Sequence, residues 1–212
     1  MNAPYRYQDV ATWSFDPAGQ TLTMRKRGTV GGTRRRWPAV LAMIGVVLLG
    51  CAVVATVLVV RPRVDPVQPV DALYVIGPAE GRIAEARQLM AAGEARTLIV
   101  TVSVNPKTGE VYTKDFCDPA SWEVICVQPD PYATRGEAGV LARLVKEHGW
   151  SRVAVMTETS HVSRTRMWMD RCVPASVSVW PSDERRTPIS WVGAIAYQSA
   201  AWVKAQVQRG CL

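Results

Sequence analysis

Apolar residues fall into one long unbroken block followed by a regular succession of short ones. The long block, AVLAMIGVVLLGCAVVATVLVV from Ala39 to Val60, holds no charged residue. A helix rising 1.5 Å per residue needs about 20 apolar residues to cross a bilayer core, so this run predicts a transmembrane anchor over 37–61. A buried core helix and a cleaved signal peptide are the alternatives. A signal peptide's apolar region is shorter, roughly 7–15 residues, and lies close to the N-terminus, whereas this one begins only at Ala39. The stretch that follows, RPRVDPVQPV, carries Pro62, Pro66 and Pro69 and reads as a stiff Pro-rich linker over 62–70. A folded domain over 71–212 then begins.

Within that domain the pattern alternates between strand and helix. ALYVI at 72–76 ends in Gly77-Pro78, and residues 80–93 place Ile83, Ala86, Leu89 and Met90 on one helical face before Gly93, a C-terminal stop. TLIVTV at 97–102 is the second strand. Residues 103–131 read as a long irregular stretch, punctuated by Asn105-Pro106, Asp118-Pro119 and Pro129-Asp130-Pro131; a loop of that length in a compact domain is usually functional or stapled. A helix from about Arg135 to His148 buries Val140, Leu141, Leu144 and Val145 and stops at Gly149. RVAVM at 152–156, a helix over 161–172, SVSVW at 176–180 and a final helix from Pro188 complete the series. The last helix is apolar enough to raise the question of a second span, but Tyr197, Gln198, Ser199, Lys204 and Gln206 interrupt it, so a core helix is preferred. Short apolar strands separated by helices imply parallel neighbours covered on both faces. The expected fold is therefore an α/β, Rossmann-like three-layer domain with a parallel sheet, preceded by one transmembrane helix.

Charge and cysteine usage add topology. The formal net charge is +7, and Arg25, Lys26, Arg27, Arg34, Arg35 and Arg36 crowd the N-terminal side of the span, against Arg61, Arg63 and Asp65 on the other. Cationic residues flanking a span stay on the cytoplasmic side, which predicts a cytoplasmic N-terminus, a disordered basic tail over 1–36, and an extracytoplasmic domain at the plasma membrane. The same cluster accounts for the basic excess through topology and anionic lipid, so no nucleic-acid partner is expected. Cys51 lies in the span. Cys117, Cys126, Cys172 and Cys211 form an even set beyond it, which suits disulfides in an oxidising compartment. Of three connectivities, Cys117–Cys126 and Cys172–Cys211 are favoured; four unpaired buried thiols are the alternative. No CxxC pair or spaced histidines accompany them, so no metal is expected.

Ligands of open parallel sheets sit beyond the carboxyl ends of the strands, where this sequence places several cations. His161 and Arg164 share one face at a helix start, and the helix N-terminus favours an anion. Thr157, Thr159 and Ser160 precede them, as hydroxyl ligands or as ordinary caps. Arg82 and Arg135 also stand near helix starts, where a cation opposes the helix dipole unless something anionic offsets it; for Arg82 the ordinary explanation is a salt bridge to Glu80 or Glu85. Thr134 and Glu137 flank Arg135. Four basic groups at one sheet edge would converge on a phosphate or carboxylate.

These stretches, DALYVIGPAEGRIAEARQLMAAG, LIVTVS, ATRGEAGVLARLV and VAVMTETSHVSRTRMWMDRC, resemble the YdcF-like family of SanA/ElyC-type envelope proteins, as a membrane-anchored member. The likeness runs from about Asp71 to Pro181. The family's glycine-rich turn, first-helix arginine, Thr-x-x-Glu helix start and His-x-x-Arg helix start would correspond to Gly77, Arg82, Thr134 with Glu137, and His161 with Arg164. Gly77-Pro78 stands in place of a run of glycines, Ala138 where Asn is common, and TVSVN where Ser-Gly-Gly is common. The resemblance implies a Rossmann-like fold and a role in the cell envelope, in cell-wall biogenesis.

The expected function is binding, with turnover left open, of an anionic small molecule or lipid-linked precursor. Gly77, Arg82, Thr134, Arg135 and Arg164 are its ligand-binding candidates. His161 and Glu137 are the catalytic candidates, since an imidazole titrates near neutrality; Glu158 is a further possible partner carboxylate. No nucleophile or triad is visible. The second hypothesis is a non-catalytic envelope-assembly module acting through a protein partner, supported by the basic tail and by Trp122, Trp150, Trp168, Trp180, Trp191 and Trp202 beyond the span. A nucleotide-dependent oxidoreductase or methyltransferase ranks last, because GPAEG does not match GxGxxG, and no cofactor is expected.

Overall fold

The structure is a computed structural model and describes residues 37–103, 107–108, 115–118, 120–182, 186–208 and 210–211. The tail over 1–36 and the turn at Asn105-Pro106 lie outside the described residues. The apolar block forms one helix, α1 (Trp37–Val60), about 36 Å long at 1.5 Å per residue. It is long and apolar enough to cross a membrane, and only 6% of its most apolar window is buried, unlike a core helix.

The domain is a five-stranded, all-parallel sheet of β1 (Val70–Val75), β2 (Ala95–Thr101), β3 (Glu123–Val127), β4 (Arg152–Glu158) and β5 (Ser176–Ser182), in the order β3-β2-β1-β4-β5. Parallel neighbours need crossovers, supplied by α2 (Ile83–Ala91), α3 (Thr134–His148) and α4 (Val162–Cys172). The central strands are apolar at consecutive positions because both faces are covered. Leu73, Val75, Leu98, Val100, Ala154, Met156 and Trp180 form one core with Ala86 and Met90 of α2. Ala72, Tyr74, Ile76, Ile99, Val153 and Val155 form the other with α3 and α4. Helices α2 and α3 each end at a glycine of positive φ, Gly93 (80°) and Gly149 (67°), the left-handed conformation that glycine adopts without steric cost. The final helix, α5 (Pro188–Val207), opens with Pro188 behind Thr187, whose Oγ1 accepts from the Ser190 N–H at 3.3 Å, and lays Ala205 on the α3/α4 core.

Two features differ from the sequence reading. The stretch expected to be irregular contains β3, an edge strand pairing with β2 from Thr97↔Glu123 to Thr101↔Val127. Cys126 lies within it and is bonded to Cys117 in a preceding 3-10 turn (Asp115–Cys117), while the second disulfide joins Cys172 at the end of α4 to Cys211. Nor is the whole Pro-rich linker a free spacer. The Asp65 Oδ2 accepts from the Val179 N–H of β5 at 2.8 Å and from Arg166 of α4 at 2.6 Å, and Arg166 also donates to the Arg63 carbonyl. Edge strands expose unpaired backbone donors, and the linker covers this one.

Asp65→Ala is therefore expected to leave the Val179 N–H and the Arg166 guanidinium without their acceptor and to lower stability by about 1–3 kcal/mol. Asp65→Asn should recover part of the loss. Chemical denaturation of the full chain in detergent checks this, and an unchanged midpoint would show that the linker contributes nothing to the fold.

Candidate functional site

The chain leaves β1 toward β2 through α2 on one face of the sheet and enters β4 through α3 on the other, so the topology switches between β1 and β4. A crevice opens at such a point outside the carboxyl ends of the strands. Gly77 follows β1 there, a 3-10 turn (Thr159–His161) follows β4, and α3 begins with Thr134.

Glu137, in the first turn of α3, is 4% exposed. Its Oε1 accepts from the Gly77 N–H at 2.7 Å and from the Thr101 hydroxyl at 3.2 Å; Thr101 in turn lies 2.8 Å from the Tyr74 hydroxyl. With the Thr101 proton committed to Glu137, the Tyr74 O–H donates to Thr101, giving a three-member relay from the core to the carboxyl. Burial pushes the Glu137 carboxyl up to about 7, against the Gly77 and Thr101 hydrogen bonds and the positive charges of Arg164 and Arg82. Burial likewise holds the Tyr74 phenol well above its usual range. A Cβ on Gly77 would stand 2.7 Å from the Tyr132 hydroxyl oxygen and 3.1 Å from the Thr101 methyl, and one on Gly136 would collide with the Pro131 carbonyl oxygen. The approach of the 130–133 segment to α3 thus requires glycine at 136.

His161 is buried between two hydroxyls, Nδ1 at 3.1 Å from Thr157 Oγ1 and Nε2 at 3.1 Å from Thr134 Oγ1. Arg164 also donates to Thr134 Oγ1 at 3.1 Å, which leaves the Thr134 proton free to point at Nε2. Burial, then the charges of Arg164 and Arg82, hold the ring well below its ordinary pKa, and it is neutral. Arg164 continues to Gln198 Oε1 of α5 at 3.0 Å. Thr157 and Ser160 thus turn to His161 and to Glu158 Oε1 (2.9 Å) instead of capping a helix.

Arg82, 3% exposed, donates to the Ile76 carbonyl at 3.2 Å and to the Pro78 carbonyl, and lies 3.9 Å from Glu158 Oε2. Glu158 also pairs with Arg186 and accepts from Gln198 at 3.4 Å. Cations and carboxylates are therefore interleaved behind the strand ends.

Beside this cluster, α3, α4 and α5 enclose a groove of about 350 Å³. Thr134, Arg135, Arg164, Trp168, Tyr197 and Lys204 line it with small α5 side chains, and none of its lining residues is acidic. Family models, curated proteins and solved structures offer no match to this chain.

Of the residues singled out in the sequence, Gly77 and Glu137 form one hydrogen-bonded set and Thr134, His161 and Arg164 a second; the charges of Arg164 and Arg82 act on both Glu137 and His161. Arg135 stands apart from both sets. It lines the groove, with its Nε donating to the Gly210 carbonyl at 3.1 Å. Among the described residues no group of three His, Cys, Asp or Glu is disposed to hold a metal ion. Tyr74, Thr101, Gln198 and Arg186 were missed; the only signals were a tyrosine inside an apolar strand and a threonine at a strand end.

Two outcomes follow from this geometry. The folded pKa of Glu137 lies above that of the unfolded chain, so between 4.5 and about 7 the folded protein keeps a proton that the unfolded chain has released. The stability this represents is present below that window and lost as pH rises through it. Glu137→Gln, which keeps an acceptor for Gly77 and Thr101, is expected to gain about 2–3 kcal/mol on the wild type between about pH 5 and pH 8, measured by denaturant unfolding at both. Gly136→Ala is expected to displace the start of α3 and lower the thermal midpoint by several degrees, while Ala138→Gly, two residues on, leaves the start of α3 in place and costs only helix propensity and one buried methyl, about 1–2 kcal/mol.

Proposed function

We propose that this is a membrane-anchored envelope protein whose extracytoplasmic domain binds an anionic amphiphile, a phosphorylated or lipid-linked metabolite, in the groove between α3, α4 and α5. The observation that carries the reading is the pairing of Arg164 with Thr134. Both residues line the groove, Thr134 bonds on to His161, and the Arg164 charge acts on buried Glu137, so an anion held by Arg164 is coupled electrostatically to a carboxyl raised to about 7. Arg135 and Lys204 add positive charge at the groove and no lining carboxylate competes with a ligand. Trp168, Tyr197 and the alanines of α5 provide apolar wall for a hydrocarbon portion.

In this reading Arg164 is the principal anion ligand, and Arg135 and Lys204 are supporting ones. His161, neutral and engaged at both nitrogens, positions Thr134 and through it Arg164. Glu137 is the group suited to giving or taking a proton. The even set of cysteines, bonded as two disulfides, supports an oxidising compartment for the domain, and the basic flank ahead of α1 supports a cytoplasmic N-terminus. The strand-end residues Gly77, Arg82, Glu137 and His161 are also those that carry the YdcF-like resemblance, which supports an envelope role.

Calorimetric titration of the full chain in detergent with pyrophosphate and with a prenyl phosphate tests the reading. Binding of the prenyl phosphate is expected to exceed that of pyrophosphate. Arg164→Ala should weaken it about 10- to 100-fold, the value of a charge-assisted hydrogen bond, and Arg135→Ala or Lys204→Ala only a few-fold, fading with salt. Affinity unchanged in Arg164→Ala would rule the groove out as the anion site.

A further inference from the structure

The groove leaves the opposite side of α5 unexplained. A surface helix ordinarily turns an apolar stripe to the core and polar residues to water. Helix α5 buries Gln198 and Ala205 against the domain, yet the outward face repeats apolar residues at helical spacing. Ile189 (85% exposed), Val192 (69%), Val203 (64%) and Val207 (78%) lie on it, together with exposed Ala196. Lys204 is the only charged residue in the helix, and it lines the groove.

The anchor says what covers this face. Val59, in the last turn of α1, is buried, and the Leu58 carbonyl accepts from the Ser163 hydroxyl at 2.7 Å. Ser163 precedes Arg164, which bonds to Gln198 in the middle of α5. The end of the membrane-spanning helix and α5 are therefore held by adjacent residues of one helical turn. Between Val60 and the pinned Asp65 the chain extends at most about 17 Å, so the domain stays at the lipid surface. A second copy is the competing occupant. The stripe measures only about 30 Å by 10 Å, well short of the roughly 800 Å² per partner of a standard stable interface.

We propose that the outward face of α5 lies in the headgroup region of the bilayer that holds α1, as a second, interfacial membrane contact that fixes the tilt of the domain and the groove beside it at the lipid surface. A stripe of exposed apolar side chains along a surface helix suits that environment. The contact rests on the anchor and on α5, not on the identity of the groove's ligand.

The test is nitroxide accessibility in the full chain, with Cys51→Ser removing the free thiol, reconstituted in vesicles of phosphatidylethanolamine and phosphatidylglycerol. Labels at Ala196→Cys and Val203→Cys are expected to collide more with oxygen than with a water-soluble nickel chelate, and a label at Arg143→Cys, on the solvent side of α3, to show the reverse order. Nickel-dominated collisions at 196 and 203 would overturn the proposal. So would spin–spin broadening at those sites that persists on dilution with excess lipid, which would assign the face to a second copy. Neither position lines the groove, so prenyl phosphate binding by the same variants separates failure of this contact from failure of the binding reading.

Discussion

A carboxyl group kept out of water at the end of the central strand sets the terms for the rest of the site. Glu137 sits where the chain turns from β1 and where α3 begins, and an uncompensated carboxylate in that position would cost several kcal/mol. The fold answers with donors that only this topology brings together: a backbone N–H from the end of β1, a hydroxyl from the end of β2 and, behind it, a phenol from inside β1. Even so, desolvation outweighs the hydrogen bonds and the two arginines combined. The group is balanced between its protonation states near neutrality, and a small change in local charge moves it either way.

The same balance explains the interleaving of charges around it. Arg82 and Arg164 raise the local potential, which favours ionised Glu137 and opposes a charged His161. Glu158, held by Arg82, Arg186, Ser160 and Gln198, offsets part of that potential. A bound anion at Arg164 would supply further negative charge and so drive Glu137 toward its neutral form. Proton uptake on binding is the natural consequence of a linkage of this sign.

How much of this was visible in the sequence follows from where each residue sits. Strands β1, β2 and β4 were readable because burial on both faces makes them continuous apolar runs between helices, and β5, an edge strand, because its valines alternate with serines after a helix. β3 was hidden, since this edge strand is short and half exposed, and its Cys126 reads equally well as part of a stapled loop. Both disulfide pairings were favoured from spacing, and the geometry agrees. In the site, residues at strand ends and helix starts could be found because topology alone sends them to one rim. Tyr74 and Thr101 could not, because a polar atom inside a core strand has no signature until its partner is known. Gln198 was read as an interruption of an apolar helix, when it is the residue through which that helix joins the site.

That last residue also joins the two halves of the argument. Gln198 accepts from Arg164 and donates to Glu158 on the inward side of α5, while the residues around it on the outward side are apolar and exposed. The bond from Arg164 to Gln198 ties the inward face of that helix to the groove. The final turn of α1, the start of α4 and the middle of α5 are linked through consecutive side chains, Ser163 and Arg164. Under the proposed membrane contact, the seating of α5 and the position of Arg164 at the cationic groove are therefore linked through these side chains.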